Sequence, residues 1–153
     1  MTSSTIDFKI KNAGTTVNGL FSNLSANIFF DTENYAKSSI ETSVETNTIS
    51  TGIKLRDKHL KNERFLDTSH YPRIEMESSS FTIETDGTFS GNFKLTMKGV
   101  SKNIPVHFTY VKSGNTASFD GSFALNRRDY SVGGKSWILA DEVFIRVHIS
   151  ATK

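Results

Sequence analysis

The chain reads as all-β: a single antiparallel barrel of about eight strands with one inserted helix, at about residues 52–62. Three observations predict this. Apolar and polar residues alternate over most of the chain, which is the period of a half-buried strand. The breaks between runs are short and carry turn residues, as at Asp86-Gly87 and Lys98-Gly99, so sequence neighbours pair antiparallel. Only residues 51–72 depart from the alternation. Long antiparallel strands with one apolar face favour closure, which removes exposed edges. About eight strands is also the size whose interior can hold one small ligand.

The strands follow in order. Ile6, Phe8 and Ile10 alternate with charged residues until Ala13-Gly14 turns the chain. The run from Val17 to Phe21 carries Gly19, consistent with a bulge or a close backbone approach. Leu24, Ala26, Ile28 and Phe30 form the next row, and Ile40, Thr42 and Val44 the one after it. Beyond Pro72, Ile74 and Met76 alternate with Glu75 and Glu77; the parity then blurs at residues 78–80, which predicts a bulge before Phe81 and Ile83. Phe89, Gly91, Phe93, Leu95 and Met97 form one row, and Ile104, Val106, Phe108 and Tyr110 the next. Ala117, Phe119, Gly121, Phe123 and Leu125 follow, with Gly91 and Gly121 either leaving space in the interior or relieving the bend of the barrel. Residues 126–141 are the longest irregular stretch, loosened by Gly133-Gly134. Val143, Ile145, Val147 and Ile149 close the chain.

Composition narrows the function. A chain of 153 residues is expected to be one domain, 1–153, and its mean hydropathy of −0.34 is that of a globular chain. Twelve Phe against four Tyr and one Trp is a set weighted to rings without a polar tip, suited to surfaces that never meet water. The net charge of +2 comes from interspersed charges with no basic run, so no nucleic-acid partner is expected. The absence of cysteine excludes disulfides, thiolate zinc sites and thiol catalysis. No run of roughly eighteen apolar residues is present to form a transmembrane helix.

In residues 51–72, Ile53, Leu60 and Phe65 are apolar anchors for a helix covering the barrel mouth. Thr51 is placed to cap the first turn, and Asp67 to cap a second or close an Asx-turn. The motif Thr51-Gly52, Arg56-Asp57-x-His59-Leu60, Phe65-x-Asp67 and Tyr71-Pro72 resembles the signature of the YceI-like family. Residues 95–106, 123–130 and 140–151 extend the resemblance over nearly the whole chain, with Leu66 departing from the second aromatic common there. The resemblance implies a lipocalin-like barrel that holds a polyisoprenoid, an isoprenoid quinone or a similar amphiphile. It favours a periplasmic or secreted protein whose leader is removed; a chain complete as it stands would be cytoplasmic. The expected partner is a small apolar lipid, with transient membrane contact and a homodimer compatible with it.

By periodicity alone the apolar rows would be solid core, since such rows mostly pack on each other; the resemblance turns the expectation to a lined cavity. The expected lining is Phe8, Phe21, Ile28, Phe30, Ile40, Leu60, Phe65, Ile74, Met76, Phe93, Leu95, Phe108, Phe123, Trp137, Val143, Ile145 and Val147. Arg56, Asp57, His59, Arg127 and Asp129 match motif positions and would either recognise a head group or hold the helix and the 126–141 loop in place. Trp137 would cover the ligand or anchor its loop to the barrel.

No metal, cofactor or catalysis is expected. His59, His70, His107 and His148 show no close ligand spacing, and Asp57 and His59 stand i, i+2, which do not face each other on a helix. No nucleophile elbow or phosphate-cradling glycine loop is present. Two other readings stand beside the lipid carrier: an isoprenoid-processing enzyme using the Arg56/Asp57/His59 region, and a solid-core barrel acting as an interaction module.

Overall fold

A computed structural model describes residues 3–152. Nine strands form one antiparallel sheet: β1 (Ser3–Asn12), β2 (Thr15–Phe21), β3 (Ser25–Phe29), β4 (Ser39–Glu45), β5 (Arg73–Ile83), β6 (Phe89–Met97), β7 (Val100–Ser113), β8 (Thr116–Asn126) and β9 (Leu139–Thr152). Their order is β2-β1-β9-β8-β7-β6-β5-β4-β3. The two outermost strands, β2 and β3, are successive in the chain. A kink at Ser22-Asn23-Leu24, with Asn23 at φ +58°, carries one run of backbone from pairing with β1 to pairing with β4. Past β4 the chain returns beside β2, where Leu20 and Ser50 exchange backbone hydrogen bonds of 2.9 Å. Ser22 N–H donates to the Thr48 hydroxyl, also at 2.9 Å. The sheet is thereby curled towards closure, with Leu20 of β2 and Ser22 bridged to the segment after β4.

Turn chemistry sets the register. Ala13-Gly14 and Lys98-Gly99 have positive φ at both central positions (+52° and +79°, then +52° and +77°), the hairpin geometry whose twist matches the flanking strands. The bulge predicted near residue 79 is present as a register shift between Ser78 and Ser80, where the Ser78 hydroxyl accepts the Ile40 N–H at 2.9 Å. Alternate residues of each strand point inward. In β6 these are Phe89, Gly91, Phe93, Leu95 and Met97, all buried.

One end of the interior is solid. Phe30 sits at its centre, 5.1–6.2 Å between ring centroids from Tyr35, Phe81, Phe89, Phe108, Tyr110 and Phe119. Most of these pairs are edge-on or tilted, the arrangement the ring quadrupole prefers. Gly91 and Gly121 belong to this end. A Cβ on Gly91 would lie 2.7 Å from the Phe93 ring and 3.2 Å from Phe81, and one on Gly121 would lie 3.3 Å from Val106. These glycines make room for core side chains and do not leave space for a ligand, which corrects the expectation.

The inserted helix, α1 (Lys54–Leu60), has seven residues, fewer than the expected 52–62. Ile53 is its N-cap and makes no side-chain capping bond. Thr51 does not cap α1. Its N–H and hydroxyl donate to Asp57 Oδ1 at 2.8 and 2.5 Å, while Arg56 Nε donates to Thr51 Oγ1 at 2.7 Å and Arg56 Nη2 to the Thr51 carbonyl at 2.8 Å. Asp67 closes the turns that follow from a positive φ of +51°, buried, with its carboxylate 2.8 Å from His70 Nδ1.

Candidate functional site

The other end of the barrel is hollow. A cavity of about 170 Å³ lies between β1, β2, β4, β5, β6, β8 and β9, under α1 and the 132–139 loop. The expected residues that line it are Phe8, Phe21, Leu60, Phe65, Ile74, Met76, Leu95, Phe123, Val143 and Ile145. Ile6, Ile10, Val17, Leu24, Val44, Ile49, Leu66, Met97, Leu125, Val132 and Leu139 complete the apolar wall. Most of these stand at inward positions of strands already recognisable by their alternation, so period two was the signal that could have found them. Val132 and Leu139 lie in the irregular stretch and at the start of β9, where no such signal exists.

Six expected lining residues belong to the packed interior instead. Phe30, Phe93 and Phe108 are part of the aromatic end, and Ile28, Ile40 and Val147 pack against the core outside the cavity. The physical reason is height along the barrel: on β9, Val143 and Ile145 reach the cavity, whereas Val147 and Ile149 lie beyond it. Trp137 is a different correction. It is fully exposed, so it neither covers the cavity nor anchors its loop.

Gly19 shapes the wall. It pairs with Phe8, and a Cβ there would fall 2.1 Å from the Phe8 ring, so only glycine lets that ring lie flat across β2 and line the cavity.

The polar candidates separate by position. Arg127 is 2% exposed and borders the cavity, yet its guanidinium is committed. Nε donates to the Ala140 carbonyl (2.8 Å), Nη1 to Val132 and Gly134 (both 2.9 Å), and Nη2 to Leu139 (3.2 Å) and to Asp141 Oδ1 (3.4 Å). These bonds use its five N–H groups. Burial pulls its pKa below the ordinary arginine value, against the opposing effect of Asp141. Gly133 has φ +70°, a Cβ there would fall 2.8 Å from Arg127 Nη1 and 2.9 Å from the Phe65 ring, and its N–H donates to the Arg64 carbonyl at 2.8 Å. The glycine pair therefore belongs to a loop pinned by hydrogen bonds, not to a loosened one.

Arg56 borders the cavity at its mouth, and its bonds to Thr51 use Nε and one Nη2 hydrogen. Asp57 faces Thr51, while His59 and Asp129 are exposed and lie off the cavity wall. The structure thus brings Arg56 and Arg127 to the cavity and leaves Asp57, His59 and Asp129 away from it. On the outer face of the barrel, His107 Nδ1 is 2.9 Å from the Ser90 hydroxyl and His148 Nδ1 is 2.6 Å from Asp120. Among the described residues no group of three or more His, Cys, Asp or Glu is arranged to hold a metal ion. No helix among them is long and apolar enough to cross a membrane.

A curled antiparallel sheet with an apolar-lined cavity beneath a short helix is a lipocalin-like barrel. The chain belongs to the YceI-like family, whose domain model matches residues 1–151. It is 27% identical over 160 residues to a UPF0312 protein of Vibrio parahaemolyticus, covering 98% of this chain and 82% of that one. Among solved structures it is similar to BcnA of Burkholderia cenocepacia (27% identity, TM-score 0.92, 97% and 96% of the two chains). A polyisoprenoid-binding domain from Saccharophagus degradans shares the fold at 14% identity (TM-score 0.77, 97% and 93% of the two chains).

Proposed function

We propose that this protein binds the apolar chain of a polyisoprenoid, an isoprenoid quinone or a similar amphiphile in the cavity, and carries or stores it outside the cytoplasm without chemical change. The observation that carries this reading is a cavity walled by aliphatic and Phe side chains, with Arg56 at its mouth. Each methylene moved from water into such a wall contributes about 0.8 kcal/mol, so ten of them contribute about 8 kcal/mol. Ordering the chain and losing its free motion returns several kcal/mol, and micromolar or tighter binding remains. Hydrocarbon walls discriminate weakly beyond length and girth. Selection therefore falls to Arg56, whose remaining donors suit a phosphate, carbonyl or hydroxyl head group.

The free volume of about 170 Å³ is below the roughly 300–1,000 Å³ of usual ligand pockets. A tail therefore seats by moving flexible lining residues, of which Met76 and Met97 are the most adaptable. Catalysis at the Arg56/Asp57/His59 segment is disfavoured because the Asp57 carboxylate is occupied by Thr51 and His59 lies off the wall. The test is native mass spectrometry of protein purified without detergent and then extracted with organic solvent. A co-purifying apolar lipid that rebinds intact supports the carrier; a lipid returned hydrolysed or transferred, or no uptake at all, contradicts it.

A further inference from the structure

The cavity mouth carries a second feature that lipid binding in the interior does not use. Trp137 projects fully into water, and Ile138 beside it is 61% exposed. At the start of α1, Ile53 and Leu55 are 52% and 66% exposed. These two segments meet at the same end of the barrel. Gly133 N–H donates to the Arg64 carbonyl at 2.8 Å, and Lys98 Nζ donates to the carbonyls of both Glu63 and Ser131 at 2.8 Å. Thr51, Arg56 and Leu60 from one segment and Val132 and Leu139 from the other line the cavity directly. Exposed single apolar residues are ordinary, but a fully exposed Trp flanked by Ile on a hydrogen-bonded loop is not.

Charge points to the occupant. On residues 53–64 and 127–139 the exposed cations are Lys54, Lys58, Arg64, Arg128 and Lys135, and the exposed acids are Glu63 and Asp129. Of the nearby carboxylates, Asp57 bonds to Thr51, Asp67 to His70, and Asp141 to Arg127 and Arg128, while Glu142 is exposed. With every charge counted, residues 51–72 and 127–142 carry eight Lys or Arg against six Asp or Glu, and the rest of the chain balances at ten of each, so the whole surplus of two lies at this end. Protruding Trp, Ile and Leu among lysines and arginines match an anionic lipid surface, where indole rings settle at the head-group level and basic side chains meet the phosphates.

We propose that this rim docks the barrel, mouth down, on an anionic bilayer, so that an apolar tail passes between membrane and cavity without crossing water. The direction of transfer rests on the carrier reading; the docking itself does not. The test uses the full chain and vesicles of phosphatidylcholine with or without phosphatidylglycerol. Trp137 is the sole tryptophan, so its emission reports the rim alone. Docking predicts a blue shift and protection from iodide quenching with phosphatidylglycerol vesicles, reversed by high salt. Vesicle co-sedimentation should weaken by about tenfold in Trp137→Ser with Leu55→Ser and in Lys54→Glu with Lys58→Glu. Uptake of a short dansylated prenyl alcohol from solution should be unchanged in both variants. If uptake fails in every form while the vesicles still shift Trp137, the carrier reading falls and the docking surface stands. Emission insensitive to phosphatidylglycerol vesicles overturns the docking surface. So does a shift that appears with protein concentration alone, since that assigns the rim to a second copy.

Discussion

Tyr130 shows how tightly single residues are fitted at the closed base of the 126–141 loop. It is 1% exposed, and its hydroxyl is buried without a hydrogen-bond partner among the described residues. Burial first, and then the neighbouring Asp129, push its pKa from 10.0 to about 12. A buried, unsatisfied hydroxyl costs about 1–3 kcal/mol, so Tyr130→Phe is expected to stabilise the protein by about 1 kcal/mol near neutral pH. The pH dependence has a definite sign. Because the folded-state pKa is the higher one, the phenol's contribution is fully present below pH 10 and is lost as pH rises towards 12. Denaturant melts of both proteins across that range check this. The gap between wild type and Tyr130→Phe should widen by roughly 2 kcal/mol from pH 9 to 12, and a constant gap would show that Tyr130 ionises as freely in the fold as out of it.

At the scale of elements, the strands were legible and the loops were not. Alternation identifies a strand and its inward face, and positive-φ turns such as Lys98-Gly99 fix where it ends. Alternation does not give height along the barrel. Phe93 and Leu95 share one face of β6, yet only Leu95 reaches the cavity. Trp137 was misplaced for a related reason: an irregular segment has no period, so nothing in the sequence says which way its side chains turn. The helix was expected over about 52–62, with Ile53, Leu60 and Phe65 as its apolar anchors; α1 stops at Leu60, and the turns through Asp67 bring Phe65 to the cavity.

Arg127 was legible as a motif position with two possible roles, head-group contact or holding the 126–141 loop, and its bonds to the carbonyls of Val132, Gly134, Leu139 and Ala140 fit the second. Arg127→Ala leaves the carbonyls of Val132, Gly134, Leu139 and Ala140 without their donor. A loss of about 3 kcal/mol or more is expected. Hydrogen exchange should accelerate first at residues 131–139, and Arg127→Lys should not rescue it, since one ammonium cannot replace a five-donor fork. Unchanged exchange in that segment would show that the loop is held by other contacts.

At the scale of the molecule, the interior is divided into an aromatic plug and a hollow half, so both the solid-core and the cavity expectations describe part of one barrel. On the carrier reading, the plug limits how far a ligand chain reaches. Along β9 the cavity spans Val143 and Ile145 and ends before Val147. Wild-type affinity for prenyl alcohols should therefore rise with length and then level off. Phe30→Leu removes ring volume at the centre of the plug while keeping an apolar filler, and costs about 1–3 kcal/mol. It should move the plateau to longer chains, whereas an unmoved plateau would mean that the plug does not limit the tail.

The most direct measurement of the carrier reading is a titration of a dansylated prenyl alcohol into wild type and Val143→Phe. Val143 faces the cavity from β9 and is only partly buried, so a ring there occupies the space assigned to the ligand without entering the aromatic plug. Saturable one-to-one binding by wild type is expected, with a loss of at least about tenfold in Val143→Phe and a melting temperature that stays within a few degrees. Equal affinity in the two proteins, with the fold intact, would contradict a ligand site in this cavity.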